Sequence, residues 1–215
     1  MKNRLLLFSL TILFALSSCN QKEKHEHIEI TTDFGVMKVK LYNTTPQHRD
    51  NMVKLAGEGF YEDLLFHRIV PQFMIQGGDP ESKGAPSTKP LGNGGPGYRI
   101  PEEIAAPHIK GALAAARTQN PQKESSGSQF YIVQGKKVSD AELDAVERRK
   151  KIKYSPEQRK LYKELGGAPH LDMDYTVYGE VVEGMDVIDK IGGVPVNGQR
   201  PVNDVKMNVK LLEKE

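Results

Sequence analysis

The 215-residue chain has a single cysteine, Cys19, and no tryptophan. One cysteine rules out an intramolecular disulfide, and its place near the N-terminus leaves no thiol nucleophile in the body of the chain. Long apolar runs are also scarce. The run at residues 5–16 is too short to cross a bilayer core about 30 Å thick. Charge of one sign is lacking as well: there are 30 basic and 28 acidic side chains, and 28 of each without Lys2 and Arg4. That balance argues against nucleic acid or an anionic surface as the main partner. His48, His67, His108 and His170 have no metal-ligand spacing, so no metal is expected. The glycines at 77–97 come without a GKS/T sequence and are read as turns, not as a phosphate loop.

What is present begins with a signal-like N-terminus. Lys2 and Arg4 precede the apolar run, and a polar tract follows it, the pattern of a secretory signal over residues 1–18. Leu16-Ser17-Ser18-Cys19 resembles the lipobox of bacterial lipoproteins, in which the cysteine is acylated and becomes the mature N-terminus. A lipidated, extracytoplasmic protein held to the bacterial envelope through Cys19 is therefore expected, since two or more acyl chains anchor stably. Residues 19–27 are polar and aperiodic and read as a tether, with His25 and His27 as solvated side chains. The folded domain is expected over residues 28–215, as a monomer.

From Ile28 onward the pattern is β. Ile28, Ile30 and Thr32 alternate, Asp33-Phe34-Gly35 marks a turn, and residues 36–41 form a second strand. Thr45 with Pro46 looks like a capped helix start, and Met52, Val53 and Ala56 give that helix an apolar stripe. Further strands are read at 64–70, 73–76, 111–116, 130–133, 175–182 and 205–212, with a second short helix at 184–191. Many short strands and two framework helices suggest a closed barrel or a sandwich. Residues 136–168 break the pattern as a helical insertion, with Ser155-Pro156 as a fresh helix start. The insertion reads as a solvated surface hairpin. Replacing residues 138–165 by a short Gly/Ser loop is then expected to leave activity near normal, because long surface insertions cost little entropy.

Three segments stand out. In 66–79 (FHRIVPQFMIQGGD) strand alternation places Phe66, Arg68 and Val70 on one face. A charged Arg68 between apolar neighbours needs a partner or an open apolar site. Phe73 and Met74 offer such a surface, and Gln76 adds an amide. His67 falls on the opposite face and reads as a hydrogen-bonded interior residue. The other two segments are 111–118 with 127–132 (GALAAART, GSQFYI) and 175–188 (YTVYGEVVEGMDVI).

In this order the motifs resemble those of the cyclophilins. The resemblance implies peptidyl-prolyl cis-trans isomerisation on a mainly β fold: a closed eight-stranded antiparallel barrel capped by two α-helices, here with a helical insertion. It implies Arg68, Phe73 and Gln76 as catalytic residues. Met74, Ala116, Arg117, Gln129, Tyr131, His170, Leu171 and Tyr175 become the substrate-binding set, with Ala116 and Arg117 along the substrate backbone. No cofactor is implied, and the partners are proline-containing polypeptides, exported or envelope proteins whose folding it assists. His170 stands where many members carry Trp, and Tyr175 where many carry His. The competing reading is a Pro-peptide-binding or holdase module with incidental catalysis.

Overall fold

The computed structural model describes residues 24–213, so the expected signal segment and Cys19 lie outside the described residues. Strand β1 (His27–Thr32) and β2 (Gly35–Leu41) form the hairpin read from the sequence. Ile28 and Ile30 on β1, and Met37, Val39 and Leu41 on β2, are buried, as period-2 alternation requires. The tether is shorter than expected. The Leu41 N–H donates to Glu26 O at 2.8 Å, and His25 Nδ1 lies 3.2 Å from Leu41 O, so residues 25–27 belong to the fold.

Helix α1 (Pro46–Gly57) begins at Thr45 with Pro46 in its first turn, yet the Thr45 hydroxyl caps no helix amide. The Glu103 carboxylate does so instead, taking the N–H groups of Gln47 and His48 at 3.1 and 3.0 Å. A full negative charge from a distant loop serves the helix's positive end better than a local hydroxyl.

The expected strand at 64–70 is two, β3 (Leu64–Leu65) and β4 (Arg68–Val70), and β5 (Met74–Gly77) follows after a turn. Next come β6 (Arg99–Ile100), β7 (Ala112–Ala115), β8 (Ser125–Ser126) and β9 (Phe130–Val133). Helices α2 (Asp140–Lys150) and α3 (Pro156–Glu164) form the insertion, each opened by a capping box, Ser139 with Glu142 and Ser155 with Gln158. The chain ends with β10 (Val177–Glu183), α4 (Met185–Gly192), the small hairpin β11 (Val196–Asn197) and β12 (Arg200–Pro201), and β13 (Lys206–Leu211).

Nine strands form one curled antiparallel sheet in the order β3-β13-β1-β2-β10-β7-β9-β5-β4. The expected closed eight-stranded barrel is not what forms. The sheet ends, β3 and β4, run on from each other through Phe66 and His67 and share no ladder. Phe66 and His67 carry the chain from β3 into β4 without a hairpin turn, and the amides at this seam go elsewhere: Phe66 N–H to Val205 O and Ile69 N–H to Gln199 O, at 2.9 and 2.7 Å. The break also changes the face that Phe66 presents. It is fully buried in the interior core with Ile69, not beside Arg68 and Val70 as alternation over one strand implied. Helices α1 and α4 cover the interior core with Met52, Leu55, Val187, Ile188 and Ile191.

Candidate active site

Each strand that lines the core also shows a second face, and on one side of the sheet that outer face is apolar. Leu113, Ala115, Phe130, Ile132 and Ile75 point inward, while Ala112, Ala114, Tyr131, Val133 and Met74 point outward into a separate cluster. Register aligns the outer residues. Arg68 pairs with Gln76, Gln76 with Tyr131, and Tyr131 with Ala114, one row across β4, β5, β9 and β7. Strands about 4.8 Å apart thus set a guanidinium, an amide and an aromatic ring side by side.

A groove of about 830 Å³ runs over this row. Ten of the eleven residues expected at the site line it; Gln129 stands in the adjoining cleft with Gln76, Ala116 and Arg117. Arg68 is held at two points: Nη1 donates to Gln76 Oε1 at 2.9 Å, and Nε donates to Gln199 Oε1. Its Nη2 makes no hydrogen bond among the described residues. Gln76 Nε2 donates to Gln129 Oε1 at 3.1 Å, and Gln129 Nε2 donates to Gly94 O at 2.7 Å. This chain of bonds fixes both amides. Gly94 is itself pinned, because the buried Asp79 carboxylate takes the N–H groups of Gly92 and Gly94, and a Cβ at Gly94 would strike it.

The apolar half of the groove holds Phe73, Met74, Tyr131 and Leu171. The Phe73 ring lies 5.2 Å from His170, which occupies the short turn Pro169–Leu171. Tyr175 packs edge-on against Tyr131 at 6.0 Å and carries the Arg117 guanidinium 4.6 Å above its ring. Ala116 and Arg117 divide their expected role. The Ala116 N–H donates to Gln129 O and its carbonyl accepts from Ser126 N–H, whereas the Arg117 main chain carries no hydrogen bond among the described residues. The Arg117 main-chain groups are thus available for pairing, while those of Ala116 are already used.

The family model for the cyclophilin type peptidyl-prolyl cis-trans isomerase matches residues 27–210. The chain belongs to the cyclophilin family. Its enzyme class is that of the family, peptidyl-prolyl cis-trans isomerase. It is 32% identical over 180 residues to a Staphylococcus haemolyticus protein provisionally named for that activity, covering 83% of this chain and 86% of the relative. A Streptococcus pyogenes protein provisionally named a bifunctional phosphatase/peptidyl-prolyl cis-trans isomerase is 36% identical over 184 residues; these cover 83% of this chain but 37% of that longer protein. In fold, the chain is similar to a Cryptosporidium parvum cyclophilin type isomerase, with a TM-score of 0.65 at 21% identity, covering 89% and 99% of the two chains.

Set among cyclophilin residues, the electrostatics are simple. Burial lowers the Arg68 pKa, but a guanidinium starts so high that it stays a cation at neutral pH. Burial also lowers the His170 pKa, helped by His108, Lys150 and Arg149, so its ring is neutral near pH 7. His67 is buried, but neither ring nitrogen has a hydrogen-bond partner among the described residues, contrary to the expected bonded interior residue. Burial holds its pKa down, which keeps the unpaired ring neutral.

Sequence reasoning missed several groups that the cyclophilin fold brings in. Gln199, 131 residues from Arg68, arrives on the β11–β12 hairpin, and no local pattern marks it. Asp172 directly follows Leu171 and is buried beneath the site. The insertion is not the freely solvated hairpin expected. Its inner face forms a small core of Val138, Leu143, Val146, Tyr154 and Tyr162, and both tyrosine hydroxyls donate to Asp172 Oδ2 at 2.6 Å. A Gly/Ser loop in place of residues 138–165 would remove both donors, so the expectation of near-normal activity no longer stands.

Proposed function

We propose that this cyclophilin rotates X-Pro bonds by holding the proline ring over Phe73, Met74, Tyr131 and Leu171 while Arg68 stabilises the twisted amide. Rotation faces a barrier of roughly 18–20 kcal/mol because the nitrogen lone pair is delocalised into the carbonyl. Uncatalysed exchange therefore takes about 10–100 s. In the twisted form the nitrogen is pyramidal and its lone pair is free to accept a hydrogen bond. A fixed N–H aimed at that nitrogen favours the twisted form over the planar one, as catalysis by differential binding requires. Lowering the barrier by about 7 kcal/mol gives an acceleration of roughly 10⁵.

The observation that carries this reading is the double anchorage of Arg68 by Gln76 and Gln199, with its Nη2 left over at the edge of an apolar pocket. Nothing in rotation needs a nucleophile, and the groove lining contains no carboxylate. A Cryptosporidium parvum isomerase of this fold, with a TM-score of 0.63, was solved in the presence of the dipeptide Ala-Pro, which supports a proline peptide as occupant.

Exchange rates of a short X-Pro peptide, measured by NMR without a coupled protease, test the reading. Phe73→Ala removes much of the pocket's exposed ring surface, so peptide affinity and kcat/KM should both fall about tenfold. Peptide binding without any acceleration of exchange would make the chain a binding module instead.

The proposal extends to location. The Leu16-Ser17-Ser18-Cys19 sequence after an apolar run supports acylation at Cys19 and service to exported or envelope polypeptides. Fractionation of cells should find the protein with membranes, and Cys19→Ala should release it or leave it unprocessed. A wild-type protein that is fully soluble and retains residues 1–18 would refute the anchor.

A further inference from the structure

The Asp172 carboxylate lies behind the pocket wall, and both of its oxygens are fully used. Oδ1 accepts from the His108 main-chain N–H and from His108 Nδ1, each at 2.8 Å. Oδ2 accepts from the hydroxyls of Tyr154 and Tyr162, each at 2.6 Å. On the other side of the ring, His108 Nε2 meets the Tyr131 hydroxyl at 2.9 Å. A single carboxylate thus joins three things: the two tyrosines of the insertion, the Tyr131 ring in the pocket, and the chain segment that presents His170 and Leu171.

The rest of the geometry tightens the same joint. The His108 ring stacks parallel to Tyr131 at 6.0 Å, and Tyr175 stands edge-on to both. At the end of α2, Lys150 donates to the Asp172 main-chain carbonyl and to Asp174, on either side of Met173. Burial opposes ionisation of Asp172, yet the hydrogen bonds from His108, Tyr154 and Tyr162 outweigh it and hold the carboxyl below its ordinary range. A surface decoration has no need of two buried hydrogen bonds and a lysine contact converging on the wall of a binding groove.

We propose that Tyr154 and Tyr162 are positioning residues of the proline pocket: through Asp172 and His108 the inserted hairpin holds Tyr131 and Leu171 where the proline ring must pack. The proposal rests on the reading of this groove as the X-Pro site. Tyr131 and Leu171 grip proline alike in its planar and twisted states, so loosening them weakens binding without touching the Arg68 step. That is the opposite kinetic signature to the one expected for Arg68.

The test is the double variant Tyr154→Phe/Tyr162→Phe in the otherwise intact chain, with KM, kcat and the melting temperature measured on a short X-Pro peptide. KM should rise about five- to tenfold with kcat held within about twofold. Leu143→Ala is the control, since it weakens the hairpin's own core but makes no bond to Asp172; it should lower the melting temperature and leave KM in place. In a double-mutant cycle with Tyr131→Phe the KM effects should be strongly non-additive, because both changes cut one chain of bonds.

If the tyrosine variant melts lower but keeps its KM, the hairpin is only structural and the proposal fails. Additive KM effects with Tyr131→Phe would overturn the route through His108. Should the double variant not fold, Tyr154→Phe and Tyr162→Phe are read singly, each leaving the other hydroxyl on Asp172, with KM rises of about two- to threefold expected. Wild-type protein that fails to accelerate X-Pro exchange at all would instead sink the reading of the groove, whatever the tyrosines do.

Discussion

Arg68→Ala is expected to lower kcat/KM about 10²–10³-fold while changing the affinity for a planar proline peptide by less than about threefold. The guanidinium lies beside the apolar pocket with two of its nitrogens bound to Gln76 and Gln199, so it arrives at the twisted amide already oriented. Arg68→Lys should be nearly as poor. An ammonium on a flexible stem can replace the charge but not the two-point anchorage that aims the remaining N–H. Gln199→Ala gives a milder version, since one of the two anchors survives. Exchange rates and peptide affinity must be measured separately, with thermal melts to exclude unfolding. If affinity and rate fell in equal proportion, Arg68 would be a ground-state anchor, and the donor to the amide nitrogen would have to be sought elsewhere.

Asp172→Ala should be the most damaging single change outside the groove lining. It removes both acceptors from four buried donors: the His108 N–H and Nδ1, and the Tyr154 and Tyr162 hydroxyls. Orphaning several buried donors at once is estimated to cost about 3 kcal/mol or more. For a chain of this size that is a fall of about 6–12 °C in Tm. A shift under about 2 °C would mean that the network contributes little to stability.

The same carboxylate makes a pH prediction with a definite sign. The folded pKa of Asp172 lies below its unfolded value, so its stabilisation is fully present above the ordinary carboxylate range and is lost as pH falls through the depressed folded value. Wild-type Tm should drop on acidification below about pH 4, and part of that slope should vanish in Asp172→Ala.

Much of the site could be read from local sequence because side-chain alternation is a local property. Residues 73–76 announce a strand with Met74 and Gln76 on one face, and residues 130–133 do the same for Tyr131 and Val133. The motif at 66–79 drew attention to Arg68, which the structure sets in the groove beside Gln76, although the reading ran one strand too far and put Phe66 on the wrong face. The error has a plain cause. Nothing in Leu64–Val70 signals the break at Phe66-His67, which exists because Val205 and Gln199 accept the amides of Phe66 and Ile69.

The sequence by itself determined a mainly β chain with two framework helices, a helical insertion, and the order of motifs that puts it among the cyclophilins. It also determined the chemistry available: the guanidiniums of Arg68 and Arg117, two glutamine amides and a set of aromatic rings, with the only thiol confined to the N-terminal segment. Tertiary structure decided which of these meet. Register across β4, β5, β9 and β7 lines up Arg68, Gln76, Tyr131 and Ala114, and a slip of one residue on any strand would turn its member inward. Only folding brings Gln199 to Arg68 and Glu103 to the start of α1, and only folding sets Tyr154 and Tyr162 against Asp172. Hydrophobic periodicity is set by neighbours a few residues apart and can be read along the chain. A buried hydrogen bond between distant segments depends on strand register and on which carbonyls and carboxylates remain unpaired, and those are settled only when the sheet has formed.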